Sequence, residues 1–114
     1  MNRELAVQND NKTDSEIQWA VPAIDILERS GDLRLVMDMP GVAVDALKVS
    51  LEEGRLQVAG TRTDHPDRGY RRSFRLPESV DADAIEAAVD QGVLTVTLPA
   101  LASSRPRAIP VQVR

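Results

Sequence analysis

His65 is the chain's sole histidine, and it stands with Asp64, Pro66 and Asp67 in a polar stretch. An imidazole between two carboxylates is the start of a metal site, but a loop supplies neither the further ligands nor the rigid surround that would hold a cation. Solvated surface is the default for that trio. Ser30, Ser50, Ser73, Ser79, Ser103 and Ser104 have no other base to activate them, and neither a nucleophile elbow nor a phosphate-binding glycine loop occurs. With no cysteine, thiol nucleophiles, disulfides and zinc thiolates are excluded. The residues therefore predict a protein that is not an enzyme, with no cofactor and no metal.

Two other groups of residues carry more promise. Arg68, Arg71, Arg72 and Arg75 gather four guanidiniums within eight residues, with Tyr70 and Phe74 between them. The formal charge of −4 repels a phosphate backbone, so this cluster is read as a solvated or carboxylate-paired strand face, and no nucleic-acid partner is expected. Near the carboxyl end, Ile109 and Val111 lie two apart and project to one side of an extended chain, like pegs. Pro110 between them has no amide hydrogen and suits only an edge position. Such a tail fits a groove on another molecule, or it folds back to cap its own domain's edge, which the linker at 100–108 is long enough to permit.

The elements that must position these residues read as short strands. The chain has 114 residues, enough for one domain with a modest core. Residues 1–18 are polar and are expected to be mobile. Residues 21–100 are expected to form the domain, residues 1–20 an amino-terminal arm and residues 101–114 a flexible extension. No apolar run approaches the length of a membrane span, and Asp10, Asp14 and Glu16 interrupt any signal peptide, so a cytoplasmic protein with no membrane partner is expected.

Ile24 and Ile26 share a face of an extended lead-in that starts at Trp19. After the turn at Ser30-Gly31-Asp32, the residues Leu33, Leu35 and Met37 alternate with Arg34, Val36 and Asp38. Leu47, Val49 and Leu51 point inward from one strand, Glu52-Glu53-Gly54 turns the chain, and Leu56 and Val58 continue inward on the return. Thr61 to Gly69 is a loop. Phe74 and Leu76 then point inward with Ser73 and Arg75 outward, and Leu94, Val96 and Leu98 share a face of a strongly β-branched strand. Residues 81–89 admit two readings. One is a two-turn helix capped by Asp81. The other, favoured because Asp90-Gln91-Gly92 leads straight into a strand, is one turn at 82–84 followed by a strand paired with the next. Six or seven such strands predict an antiparallel β-sandwich.

Pro22-Ala23-Ile24-Asp25-Ile26, Asp38-Met39-Pro40-Gly41-Val42, Val49 to Leu51, Leu56-Gln57-Val58-Ala59-Gly60, Arg72-Ser73-Phe74-Arg75-Leu76-Pro77 and Ala88 through Pro99 occur in an order and spacing that resembles the alpha-crystallin domain of small heat-shock proteins. Ile109-Pro110-Val111 is similar to that family's carboxyl-terminal anchor. The resemblance implies an immunoglobulin-like sandwich, self-association as a dimer or small oligomer, and binding of partly unfolded clients without ATP, with a larger relative as a further candidate partner. It makes Ile109, Pro110 and Val111 the oligomer anchor. It sets the receiving groove at Leu47, Val49 and Leu51 on one strand and Leu94, Val96 and Leu98 on another.

Two departures are visible. Thr61 to Tyr70 is too short and polar to hold both a reaching loop and the extra strand that many members exchange, which leaves either a different dimer, with Arg71, Arg72, Phe74 and Arg75 as a candidate dimer or client contact, or a monomer in dilute solution. The amino-terminal arm is poor in aromatics, with Trp19 its one candidate client contact. A co-chaperone-like module that recruits folded partners is the alternative, favoured by the short loop and disfavoured by the pegs.

Overall fold

A computed structural model describes residues 16–113. The expected mobile head therefore lies almost entirely outside the described residues. Eight strands form two four-stranded sheets: β1 (Gln18–Ala20), β6 (Arg68–Arg75), β5 (Arg55–Thr61) and β4 (Leu47–Glu52) in that spatial order, and β2 (Ile24–Arg29), β3 (Asp32–Asp38), β8 (Val93–Leu98) and β7 (Glu86–Asp90) in the other. All pairings are antiparallel except the short β1–β6 ladder, which is parallel. This is the β-sandwich that the alternating pattern and the resemblance predict.

Three hairpins set the registers. Ser30-Gly31, Glu53-Gly54 and Gln91-Gly92 each place two successive residues at positive φ, between 51° and 90°. A two-residue turn of that hand matches the natural twist of the strands it joins, and the glycine at its second position adopts it without strain. With the turns fixed, the period-2 pattern delivers one face of every strand to the interior. Leu35, Met37, Met39, Leu56, Val58, Leu94, Val96 and Leu98 are buried there, and among the described residues no polar or charged side chain joins them. Leu33, Leu47, Val49, Tyr70, Phe74, Leu76, Ile85 and Val89 close over this core from the sides.

The ambiguous segment resolves as one 3-10 turn at Ala82–Ala84, capped by the Asp81 carboxylate accepting from the Asp83 amide, and then β7. The isolated helix loses because Glu86 to Asp90 can pair along their whole length with β8, and Ile85 and Val89 reach the core as well from a strand as from a helix. Two boundaries differ from the sequence reading. Gln18 to Ala20 are a strand, not part of the arm, and β6 begins at Arg68 instead of Arg71. Both differences have one cause, since β1 finds its hydrogen-bonding partner in Arg68 to Tyr70. Ile26 does not share the burial of Ile24 and is 58% exposed on the edge strand β2.

Candidate functional site

From Val80 to Arg105 the chain is tied to the domain, and beyond that it is released. Val80 bridges Ala100, and the Leu101 amide donates to the Ser79 carbonyl at 2.7 Å. Asp32, opening β3, accepts from the Ala100 amide at 2.7 Å and from Arg105 Nη1 at 3.2 Å. These two donors, the amide first, hold the Asp32 carboxyl below the usual carboxylate range. A 3-10 turn at Ala102–Ser104 then directs the arm outward. Ile109, Val111 and Val113 are 80%, 91% and 99% exposed. The arm therefore does not fold back onto its own edge. Its apolar side chains remain in water.

The expected groove is only half present. β4 is an outer strand, and its inward row runs from half-buried Leu47 and Val49 to Leu51, which is 38% exposed. Leu94, Val96 and Leu98 cannot form the other wall. β8 lies between β3 and β7, and the three side chains have zero exposure because the domain's own core covers them. The outer strand on that side of the second sheet is β7, with Ile85 and Val89 half-buried against the core and Ala87 exposed. The alternation in the sequence correctly gives the inward face of β8 but carries no information on which strand flanks it. The pairing of β7 through Gln91-Gly92 was the signal that moves the edge outward.

The arginine-rich strand divides by parity. Arg71 and Arg75 are exposed on the outer face, whereas Tyr70, Arg72 and Phe74 are half-buried on the inner one. The Arg72 guanidinium sits 5.2 Å from the Phe74 ring centroid and donates to the Pro22 carbonyl at 3.2 Å. Arg71 lies 4.6 Å over the Trp19 ring, so Trp19 is a half-buried partner of this strand. β1 covers only Arg68 to Tyr70, and from Arg71 onward the far edge of β6 pairs with no strand among the described residues.

The loop at 62–67 belongs to its own domain. Arg62 forks onto both Asp64 oxygens at 3.0 and 2.8 Å, which pulls the Asp64 carboxyl down and the guanidinium up. The Thr63 amide donates to the Gly41 carbonyl at 2.7 Å, and Arg68 and His65 close the loop through their backbone at 2.9 Å. His65 is exposed, and no cluster of three or more histidines or carboxylates fit to hold a metal occurs among the described residues. No helix among them is long and apolar enough to cross a membrane.

The model of the Hsp20/alpha crystallin family matches residues 25–113. The chain is 36% identical over 91 residues to the chloroplastic heat shock 22 kDa protein of Chlamydomonas reinhardtii, a match that covers 67% of this chain and 58% of that protein. It is 30% identical over 105 residues to the probable 15 kDa heat shock protein of Leptospira interrogans, covering 82% and 81%. Among solved structures, the small heat-shock protein of Xylella fastidiosa superposes with a TM-score of 0.65 at 34% identity, over 82% of this chain and 97% of that one.

Proposed function

The chain belongs to the Hsp20/alpha crystallin family, and from that premise we propose that it is an ATP-independent holdase, assembled when the arm of one copy docks at the sheet edges of another. The observation that carries this reading is the arm itself. Ile109 and Val111 are almost fully exposed on a segment that the domain holds as far as Arg105 and then sends outward. The receiving surface is the edge of β4 at Leu47, Val49 and Leu51, with β7 in place of β8 as the outer strand of the second sheet.

Burying each peg contributes about 1.5 to 3 kcal/mol, and each backbone hydrogen bond to an edge strand adds about 1 kcal/mol. Loss of rigid-body freedom and ordering of the arm oppose this by several kcal/mol. A single tail is therefore weakly held and exchanges, while several tails engaged together hold an assembly. When tails leave, the vacated edges become available to the extended, apolar segments of an unfolding client by strand addition. The pinned 62–67 loop argues against strand exchange and leaves the open edge of β6 beyond Tyr70 as the route to a dimer. The co-chaperone-like alternative gains only from that short loop and leaves the exposed arm without a purpose.

Sedimentation of the full chain beside an Ile109→Ser/Val111→Ser variant tests assembly, and light scattering of a heat-labile enzyme without nucleotide tests holding. The variant is expected to lose particle mass with its circular dichroism unchanged. Equal masses would overturn tail docking, and no suppression of scattering at a molar excess of chaperone would overturn the holdase reading.

A further inference from the structure

The outward faces of the two sheets carry opposite charge. On the first sheet the register places Lys48, Arg55, Arg71 and Arg75 outward against the single carboxylate of Glu52, four cations to one anion. On the second, Asp25, Asp32, Asp38, Glu86 and Asp90 face outward against Arg29 and Arg34, five anions to two cations. Apart from the Asp32–Arg105 contact at the rim, no ion pair among the described residues satisfies Lys48, Arg55, Arg75, Asp25, Asp38, Glu86 or Asp90.

The rows also match in spacing. Arg55 stands between Glu52 on β4 and Arg75 on β6, and its pairing with Arg75 is a like-charge one. One row away, Ser50, Gln57 and Ser73 form an uncharged stripe, and beyond it come Lys48 and Arg71. On the second sheet Asp38 and Asp90 flank Val93, the next row is the small, largely uncharged stripe of Val36, Thr95 and Ala88 with Asp25 at its end, and one row further Arg34 and Glu86 stand on either side of Thr97. Rows on one face of a strand repeat at about 7 Å in either sheet, so neutral stripe can seat on neutral stripe with the Arg55 and Arg75 row over the Asp38 and Asp90 row.

We propose that the cationic face of the first sheet docks on the anionic face of the second sheet of another copy of this chain. The contact is independent of the carboxyl-terminal arm. A second copy is favoured over a polyanion because the complementary surface is present on the same molecule and the chain's net charge of −4 repels phosphate polymers. Because the two faces differ, each stacked copy still offers one free face of either sign, and the contact grows open stacks instead of closing as a pair. Its charges are exposed, so it strengthens as salt is lowered.

The test uses the full-length chain with Ile109→Ser, Val111→Ser and Val113→Ser, which removes tail docking, in sedimentation equilibrium at low and high salt. Self-association at low salt that disappears at high salt is expected. Arg55→Glu/Arg75→Glu raises the dissociation constant about tenfold or more, and Asp38→Lys/Asp90→Lys does the same. Mixing these two variants one to one restores association. Arg55→Gln/Arg75→Gln, which leaves no reversed charge to disturb folding, gives an intermediate loss. Arg68→Glu/Arg107→Glu changes net charge equally away from the face and leaves the association intact. A monomer at low salt, association that persists at high salt, an unaffected Arg55→Glu/Arg75→Glu variant, or an equal loss in the Arg68→Glu/Arg107→Glu control each overturns the proposal. Tail docking stands or falls separately, by the mass of the unmodified chain.

Discussion

Gly69→Ala is the substitution whose cost the structure defines most sharply. A Cβ at Gly69 would lie 2.7 Å from the Gly60 carbonyl oxygen, 2.8 Å from Trp19 Cζ3 and 3.1 Å from Trp19 Cε3. The oxygen belongs to the β5 backbone and cannot retreat without opening the β5–β6 ladder, whereas the indole can leave. Overpacking of this kind costs about 1 to 3 kcal/mol. Expelling the ring forfeits its stacking with Arg71, about 0.5 to 1 kcal/mol at an exposed site. The sum, about 1.5 to 4 kcal/mol, is a substantial part of the roughly 5 to 15 kcal/mol that holds a small domain. Trp19 is the chain's single tryptophan, so urea unfolding followed by circular dichroism gives the energy while tryptophan emission independently reports the ring's departure by a red shift. Repeating the change in a Trp19→Ala background separates the two obstacles, because only the carbonyl clash remains there and the penalty must shrink. A variant within about 0.5 kcal/mol of the parent, with emission unmoved, would refute the close-packed account of the β1–β6 junction.

Leu94→Ala removes a side chain of zero exposure and is expected to cost about 2 to 5 kcal/mol in denaturant unfolding. Leu51→Glu on the β4 edge is expected to leave stability within about 1 kcal/mol yet lower particle mass if the arm docks there, read by sedimentation. Asp32→Asn is expected to be less stable than the parent at neutral pH. Its carboxyl lies below the ordinary value of 3.8 in the fold, so its stabilisation is complete above that value and disappears as pH falls through the depressed one. The parent and the variant should therefore converge in acid unfolding. Gly60→Ala places a Cβ 2.7 Å from Val42 Cγ1 and is expected to destabilise by about 1 to 3 kcal/mol, measured in the same way.

Most of the sandwich was legible because its strands alternate cleanly and its turns are short. Leu33, Leu35 and Met37, or Leu94, Val96 and Leu98, announce an inward face with no knowledge of their neighbours. What alternation omits is order across a sheet. That β8 lies inside β7, and so cannot line an edge, is a long-range pairing that no local window contains. The sequence shows β1 only as the start of an extended lead-in at Trp19, since three residues are too few to show a period and the partner lies some fifty positions away. The arm was visible as spaced aliphatics beyond a linker. The tie that aims it, Asp32 on the Ala100 amide and Arg105, was not, because the carboxylate and its donors are 68 and 73 residues apart.

Met37 and Met39, both at zero exposure in the core, give the domain a lasting memory of its own breathing, erased only by a reductase. An oxidant reaches their thioethers only during an opening of the sandwich, and a sulfoxide formed in that interval is too polar and too bulky to return. The rate of peroxide consumption by these sulfurs therefore follows the population of the open form, and without a reductase each molecule so marked is withdrawn from the closed population.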